Sequence, residues 1–489
     1  MAVGTAAGQP ASRSGERRSR KGVRRSSSEA PTWLVYATIA LLAWLPLPIG
    51  GIADWAAALA ATLTGLLLLA WLIVAWWRSL PLTMPLVLPL SALLVMGVVA
   101  WSVLQATPGL LPAEWNHPIW EQARQSGLDV AGVVSLSRTA WHDALLRLIA
   151  ACGMFLLAFV LAQREAQARR LLHAVLAIVV AYAVFGLLQE LTGMRLSGSD
   201  AYRASVVSTF VNRNHFATYA NLGLVIALGL MIEPLLRGDA AKQGRWTMRV
   251  AKAIGTVFEE RRLPLMAAVI LLLAVIGSAS RGGILSLAGA VIFLLALVFL
   301  AGRAKRSTKV MASIATFGAG FLVVWLTGDV LLERFQVIFA ADSLSEIDGR
   351  IAAWAMTLDA IAQRPWLGYG HGAYLEVFYL HGGPELGAIG IFDHAHNDYL
   401  QLAVELGLPA AGALVLAYVL LWGHCLAGVF VRHRRQTYPL VAATAGVLVA
   451  LHAIVDFSLL MPAVAMTFAA ILGIGCAQAR PRTDRSSSG

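Results

Sequence analysis

The chain has 489 residues, of which 58% are hydrophobic and only 13% are charged. Soluble domains carry about 25% charged residues, so this composition excludes an ordinary soluble protein and indicates a polytopic membrane protein. The formal net charge of +11 would suit nucleic-acid binding, but the basic residues concentrate in loops on one side of the apolar segments, and we expect no nucleic-acid partner.

The N-terminal segment is rich in Ser, Gly and Arg. Further basic residues follow Arg17 and Arg18, in place of the short apolar core of an export signal. We therefore expect residues 1–31 to form a disordered basic tail on the cytoplasmic side, and the first apolar segment to remain as an uncleaved helix.

Twelve apolar segments follow, each close to the ~20 residues that cross a bilayer core of about 30 Å. Their predicted bounds are 33–51, 55–77, 84–104, 144–162, 170–191, 215–235, 264–280, 283–301, 310–327, 409–430, 438–456 and 459–478. The boundary between 264–280 and 283–301 is the least defined. The sequence predicts an all-α polytopic membrane protein with about 12 transmembrane helices.

The distribution of Lys and Arg predicts the orientation, because cytoplasmic loops are enriched in basic residues. With the N-terminus inside, 28 of the 38 Lys and Arg, including every lysine, fall in cytoplasmic segments. Both termini are then cytoplasmic. Helices 1–9 occupy 32–327, a large outside loop domain occupies 328–408, helices 10–12 occupy 409–479, and 480–489 form a cytoplasmic tail.

Two helices are predicted inside the 328–408 loop. The first carries an apolar stripe at helical spacing and ends before Pro365. This stripe consists of Ile351, Trp354, Ala355, Leu358 and Ile361. The second is expected from about His396 to Gly407.

Two outside arginines lie at predicted helix ends. Arg213 stands just ahead of the sixth segment, and Arg281 lies between the seventh and eighth, where Gly282 and Gly283 are expected to allow a tight turn. The first turn of a helix presents free N–H groups and the positive end of its dipole, so an arginine there suits a phosphate or diphosphate. The alternative for each arginine is a snorkelling anchor at the membrane surface.

The segment 393–398 concentrates titratable groups in the outside loop. His396 is the candidate general base, because an imidazole with a pKa of about 6.5 can accept a proton at ambient pH. His394, Asp393 and Asp398 are candidates for orienting it, and the alternative is a group of ordinary surface residues. Asn214 and Asn397 could be helix caps, and Arg350 could cap or pair at the start of the first loop helix.

Five short motifs, taken together and in order, resemble the O-antigen ligase and O-antigen polymerase superfamily of bacterial membrane glycosyltransferases. They are STFVNRNHFA at 208–217, SRGG at 280–283, GR-(x3)-W at 349–354 with RPWLGYG at 364–370, HN-(x9)-G at 396–407, and H-(x3)-D at 452–456. The resemblance covers about 170–476.

The resemblance implies an undecaprenyl diphosphate-linked glycan as donor, used on the periplasmic face of the inner membrane. It implies a hydroxyl of lipid A core or of a growing polysaccharide as acceptor, with membrane lipids as the other partner. Arg213 and Arg281 would bind the donor diphosphate, and His396 would activate the acceptor. No cofactor and no metal are expected, since no DxD motif lies outside. Candidate supporting residues are Asn214, Arg350, Asp393, His394, Asn397 and Asp398.

Ligase and polymerase activity both stay open. Family ligases tend to end the histidine motif with Gly-x-x-Gly or a similar residue, whereas this chain reads Gly407-Leu408-Pro409-Ala410. The alternative functions are a multi-pass transporter, similar to proteins labelled as inorganic-carbon transporters, and a component of polysaccharide export. A coupled transporter usually keeps ionisable groups near mid-membrane, and the predicted segments are nearly empty of charge.

Overall fold

A computed structural model describes residues 31–80, 82–194, 205–237, 261–301, 342–432 and 436–480. These residues form α-helices and short 3-10 turns with no β-strand, which confirms the predicted all-α class for this part of the chain. The α-helices are α1 (Thr32–Trp44), α2 (Asp54–Trp77), α3 (Val87–Ala106), α4 (Ile119–Gln125), α5 (Ala140–Leu161), α6 (Glu165–Thr192), α7 (Arg213–Arg237), α8 (Arg262–Gly277), α9 (Arg281–Ala301), α10 (Asp342–Gln363), α11 (Tyr374–His381), α12 (Pro384–Ile389), α13 (Asp398–Leu406), α14 (Leu408–Val431), α15 (Thr437–His452) and α16 (Pro462–Gln478).

Seven of the described helices are long and apolar enough to cross a membrane, namely α2, α3, α5, α6, α7, α9 and α14. Four shorter apolar helices accompany them, namely α1, α8, α15 and α16. Each of these helices overlaps one predicted segment, and residues 278–280 separate α8 from α9. The predicted segment 310–327 and nearly all of the two predicted tails lie outside the described residues.

The centre of the helical bundle is formed by α7 and α16, which are buried along almost their whole length. Helix α16 packs against α5 and α15, and α7 packs against α8 and α15. Glycines allow the close approach. A Cβ at Gly473 would lie 2.4 Å from the carbonyl oxygen of Phe155, and one at Gly229 would lie 2.3 Å from a methyl of Val441. Close packing through small residues is a main source of helix association where lipid replaces water.

Residues 342–407, here called the loop domain, enclose a second apolar cluster that is separate from the bundle core. Its buried members include Met356, Tyr374, Phe378 and Val404. The segment ahead of α5 joins this cluster through Leu136, whose N–H donates a 2.7 Å hydrogen bond to the carbonyl of Tyr369. The loop domain is therefore a packed unit attached to the end of the bundle from which α5 starts.

The first predicted loop helix exists as α10 and ends before Pro365, but its apolar stripe is only partly buried. Ile351 and Leu358 are 54% and 53% exposed, whereas Ala353 and Ala360 are fully buried. Helix α10 packs against α11, α12 and α13. The buried face combines these alanines with Met356 and Ile361, so fit to the neighbouring helices and not hydrophobicity alone sets the orientation of α10.

Two glycines bring the turn after α10 against the end of α13. Gly368 and Gly407 have φ angles of +67° and +77°, which favour glycine. A Cβ at Gly368 would lie 2.4 Å from the carbonyl oxygen of Glu405. The adjacent Tyr369 N–H donates a 2.9 Å hydrogen bond to the carbonyl of Val404, near the end of α13. The turn after α10 thus fixes α13, and with it the segment 393–397 that precedes α13.

Candidate active site

Asp456 is in contact with residues from several of the sequence motifs. It follows α15 and has no exposed surface. Its Oδ2 accepts a 2.7 Å hydrogen bond from Ser458 Oγ and lies 3.7 Å from Nε2 of His215. Its Oδ1 accepts a 3.4 Å hydrogen bond from Asn214 Nδ2 and lies 3.6 Å from Nδ1 of His396. A buried carboxylate surrounded by polar and imidazole groups is stabilised in its ionised form.

His396 turns one ring nitrogen to this carboxylate. Its Nδ1 lies 3.6 Å from Oδ1 of Asp456, which leaves Nε2 on the opposite side of the ring. The ring meets Phe457 edge-on, with 4.8 Å between the centroids. The φ angle of His396 is +49°, in the left-handed region. For a residue with a Cβ this conformation costs about 1 kcal/mol or more, and it persists where surrounding contacts hold it.

Helix α10 fixes the backbone next to both members of this pair. Trp354 Nε1–H donates a 2.8 Å hydrogen bond to the carbonyl oxygen of Ala395, one residue before the histidine. Arg350 Nη1 donates a 2.9 Å hydrogen bond to the carbonyl oxygen of Val455, one residue before the aspartate. The two donors are four residues apart and so share one face of α10. The structure thus places Arg350 where it can set the distance between the histidine and the aspartate.

Arg213 is the first residue of α7, at the end of the bundle that carries Asp456. Asn212 caps this helix, because its Oδ1 accepts a 2.8 Å hydrogen bond from the N–H of Asn214. Asn214 is not a cap itself. Its amide nitrogen donates to Asp456, and its oxygen accepts a 2.7 Å hydrogen bond from Ser280 Oγ. One amide therefore connects the start of α7, the buried carboxylate and the residue ahead of α9.

Arg281 is the first residue of α9, and the expected tight turn at the glycines after it is wrong. Gly282 and Gly283 lie in the first turn of the helix. Their role is to leave space. A Cβ at Gly282 would lie 2.9 Å from a methyl of Val455, and one at Gly283 would lie 2.7 Å from an alanine Cβ of α7. The start of α9 can therefore approach both α7 and the segment after α15, which brings Arg281 to the same end of the bundle as Arg213.

Asn397 and Asp398 begin α13 and attach it to the bundle. Asn397 Oδ1 accepts a 3.0 Å hydrogen bond from the N–H of Leu400, so Asn397 is a helix cap. The N–H of Asp398 donates a 2.9 Å hydrogen bond to the carbonyl of Ala453, and its side chain is buried. Burial, followed by the charge of Asp456, raises the pKa of Asp398 well above its usual range. Asp398 is therefore harder to ionise than an exposed aspartate.

His394 and Asp393 lie beside the candidate base. The ring of His394 packs against Phe457 with 4.3 Å between centroids, and its Nε2 lies 4.0 Å from Oδ2 of Asp393. The side chain of Asp393 is 69% exposed. The carboxylate that faces His396 is therefore the buried Asp456 rather than the exposed Asp393.

Other groups around the carboxylate were not among the predicted site residues. His215 and Asp456 each lie within one of the sequence motifs, and this position could have identified them as site residues. Thr218 and Ser458 carry no such signal. Thr218 Oγ1 lies 2.6 Å from Nδ1 of His452 and 3.0 Å from Ser458 Oγ. A buried network of hydroxyl and imidazole groups from α7, α15 and the segment before α16 thus surrounds the aspartate.

Arg147 is a further cation at this end that no sequence motif indicated. It lies inside the predicted segment 144–162, where a charge is costly, and that position was the missed signal. On α5 its Nη2 lies 3.5 Å from Oδ1 of Asp54. Burial is the main cause that lowers the pKa of His394 to about 4, and the charges of His396 and Arg147 add to it. Arg147 thus contributes positive charge close to the segment 393–398.

The electrostatics keep Asp456 negative. Burial alone would raise the pKa of this carboxyl. The approach of His396, with the nearby imidazoles of His215 and His452, outweighs burial and holds the pKa of Asp456 well below its usual range. A fixed anion next to an imidazole stabilises the imidazolium that forms when the ring accepts a proton.

The arrangement places groups suited to proton acceptance and groups suited to anion binding at one end of the bundle. An imidazole with Nδ1 on a carboxylate can take a proton through Nε2. Helices α7 and α9 each begin here with an arginine, and their first N–H groups add to the attraction for an anion. Within the described ranges, no group of three or more His, Cys, Asp and Glu side chains is arranged to hold a metal ion. The site thus suits deprotonation of a hydroxyl beside an anionic group.

No curated protein shows significant similarity to the chain. The family model described as O-Antigen ligase matches residues 266–417. The matched range runs from α8 to α14 and includes Arg281, Arg350 and His396, whereas Arg213 and Asp456 lie outside it. Residues 266–417 thus match the O-antigen ligase family, which supports the resemblance of the chain to the O-antigen ligase and O-antigen polymerase superfamily.

Proposed function

We propose that this protein transfers a glycan from undecaprenyl diphosphate to an acceptor hydroxyl at the periplasmic face of the bacterial inner membrane. It would act as an O-antigen ligase or as an O-antigen or exopolysaccharide polymerase. The observation that carries the proposal is the 3.6 Å approach of His396 Nδ1 to the buried Asp456, at the end of the bundle where α7 and α9 begin with arginines. The O-antigen ligase domain supports a glycosyltransferase-like enzyme.

In the proposed reaction, His396 removes the acceptor proton. The resting imidazole carries its hydrogen on Nδ1, toward Asp456, so Nε2 is free to accept. As the acceptor oxygen attacks the anomeric carbon of the donor sugar, its proton passes to Nε2. The carboxylate stabilises the imidazolium that results. Catalytic hydrogen bonds are often long before substrate binds and shorten in the complex, which accommodates the 3.6 Å distance.

The bond between the anomeric carbon and the diphosphate breaks as the new glycosidic bond forms, and the bonding electrons leave with the diphosphate. Arg213 and Arg281 neutralise this developing charge, with help from the N–H groups at the starts of α7 and α9. The proposed reaction is metal-independent, because the arginines supply the charge that Mg²⁺ would otherwise provide. Loss of activity after EDTA treatment, with recovery on adding Mg²⁺, would contradict this part of the proposal.

The acceptor is lipid A core for a ligase and a growing polysaccharide for a polymerase. A deletion strain, examined by glycolipid gel, separates the two activities. Loss of capped lipopolysaccharide with accumulation of lipid-linked polymer indicates a ligase. Products limited to a single repeat indicate a polymerase.

Point variants test whether the site performs the reaction. His396→Ala and Arg213→Ala should each fail to restore glycan transfer to the deletion strain while the protein is present at normal levels. His173→Ala is the matched control, because His173 is exposed on α6 and its Nδ1 contacts only its own helix, at the carbonyl of Arg169. It should restore transfer fully.

The same strains discriminate the alternative functions. If the protein were a transporter, the purified wild type would catalyse no glycan transfer. If it were a non-enzymatic export component, the His396→Ala and Arg213→Ala variants would be silent in cells. Either result would overturn the enzyme proposal.

A further inference from the structure

The side-chain amide of Gln401 has its orientation fixed by its neighbours. Gln401 is buried on α13. Its Oε1 accepts a 3.2 Å hydrogen bond from the backbone N–H of Ala395. Its Nε2 lies 3.0 Å from Oε1 of Glu405 and 3.1 Å from Nδ1 of His394. A backbone N–H can only donate, so the oxygen of the amide must face Ala395 and the nitrogen must face the other two groups.

This orientation selects the tautomer of His394. The amide nitrogen of Gln401 has two hydrogens, and it can give one to Glu405 and one to His394. Nδ1 of His394 is then an acceptor, and the ring hydrogen stands on Nε2. A proton on Nδ1 would oppose the N–H of the amide. Burial is the main cause that lowers the pKa of His394 to about 4, so the ring is neutral at physiological pH.

The side chain of His394 is 20% exposed. Nε2 stands opposite the buried Gln401 contact, and Oδ2 of the exposed Asp393 lies 4.0 Å away. The rings of His394 and His396 both pack against Phe457, with 4.3 Å and 4.8 Å between centroids. The two histidines therefore form one wall of the site. His396 can accept a proton there, whereas His394 can only donate a hydrogen bond from Nε2–H.

We propose that His394 donates a hydrogen bond from Nε2 to an oxygen of the glycan acceptor, and that Gln401 and Glu405 are positioning residues that hold it in this tautomer. The inference rests on the proposed function and adds a residue that binds the acceptor. A sugar carries several hydroxyl groups, so the one facing His396 reacts only if another oxygen fixes the ring of the sugar. A neutral hydrogen-bond donor such as His394 can fix the sugar ring without placing a second base next to His396.

The first test compares His394→Gln with His394→Ala in a transfer assay. A glutamine amide can donate a hydrogen bond but cannot act as a base at neutral pH. The alanine variant should raise KM for the acceptor by about tenfold, the effect of one neutral hydrogen bond. The glutamine variant should stay within about threefold of wild type. His142→Ala, at an exposed histidine of α5, is the control. A glutamine variant as impaired as the alanine variant would overturn the proposal.

The second test reads the tautomer directly. Nitrogen-15 NMR of histidine-labelled protein in detergent, with His394→Ala to identify the signal among the 11 histidines, should show Nε2–H and a bare Nδ1 between pH 6 and 8. Gln401→Leu should abolish this preference. An Nδ1–H tautomer or an imidazolium in the wild type would overturn the inference. This readout needs no activity, so a protein that transfers no glycan would refute the proposed function and leave the tautomer result to be judged separately.

Discussion

Trp354 supports the carbonyl of Ala395 through a 2.8 Å hydrogen bond from its indole nitrogen, directly ahead of the left-handed His396. Trp354→Phe keeps an aromatic ring on α10 and removes this donor. We expect kcat to fall by about 10–100-fold, the usual cost of losing a group that orients a functional side chain. KM for donor and acceptor should change by less than about threefold, because Trp354 acts on the histidine and not on the substrates.

The matched control for this prediction is Trp422→Phe. Trp422 Nε1 donates a comparable 2.9 Å hydrogen bond to the carbonyl of Ala443, between α14 and α15. This variant loses the same bond in a different part of the bundle and should keep the wild-type kcat. Equal losses of kcat in both variants would show a general effect on stability and contradict a positioning role for Trp354.

Asp456→Asn tests the charge next to the base. The substitution preserves size but removes the anion that stabilises the imidazolium, and its amide can present N–H to the ring nitrogen. We expect kcat to fall by about 10²–10⁴-fold, measured by transfer in detergent or proteoliposomes. Asp129→Asn, at an exposed aspartate between α4 and α5, should match the wild type. An Asp456→Asn enzyme within about threefold of wild type would exclude this role.

Gly282→Ala tests the space at the start of α9. The added Cβ would lie 2.9 Å from a methyl of Val455 and 3.1 Å from Nε2 of His452, so one of the elements must shift. We expect a loss of about 1–3 kcal/mol in stability, with reduced transfer, because the shift moves Arg281 and the segment that leads to Asp456. Thermal unfolding in detergent and the transfer assay measure the two effects.

Gly65→Ala is the control for the alanine substitution. Gly65 lies in α2, and a Cβ there would meet no heavy atom within 4 Å. Alanine favours a helix by about 0.5–1 kcal/mol over glycine, so this variant should match or exceed wild-type stability. A Gly282→Ala protein as stable and active as Gly65→Ala would show that the contact at the start of α9 is not tight.

Much of the fold follows from local sequence signals. Apolar runs of spanning length predict each of the apolar helices in the described part of the chain, and Pro365 and Asn397 mark the end of α10 and the start of α13 as expected. These signals depend on residues within one or two helical turns of each other, so they can be recognised without knowledge of tertiary contacts.

The site depends on contacts that no local pattern contains. His396 and Asp456 meet through the fold of the loop domain, and Asn214 reaches Ser280 from another helix. The apolar stripe of α10 does not by itself mark the buried face, since Ala353 and Ala360 are buried while Ile351 and Leu358 are exposed. Such facts follow from tertiary packing, which overrides the apolar pattern of a single helix.

Glu405 gives a prediction about pH and stability. Its Oε2 accepts a 2.8 Å hydrogen bond from the N–H of Gly372, and its Oε1 accepts one from Gln401. Burial outweighs these bonds and raises the pKa of Glu405 to about 7. Between about pH 4.5 and 7 the folded protein therefore keeps a proton that the unfolded chain has released. As pH rises through that window, the titration of Glu405 therefore lowers the free energy of unfolding by on the order of 3 kcal/mol in total.

Glu405→Gln removes this titration. At pH 5 the variant should be less stable than wild type, because an amide cannot accept both hydrogen bonds. As pH rises to 8 the wild type loses the stability that its protonated Glu405 provided, while the variant does not, so the difference in Tm should shrink steadily. Glu114→Gln, at an exposed glutamate, should give the same Tm difference at every pH. A Glu405→Gln difference that is constant or grows with pH would mean that Glu405 is ionised throughout, and that its carboxylate binds Gln401 and Gly372 as a permanent anion.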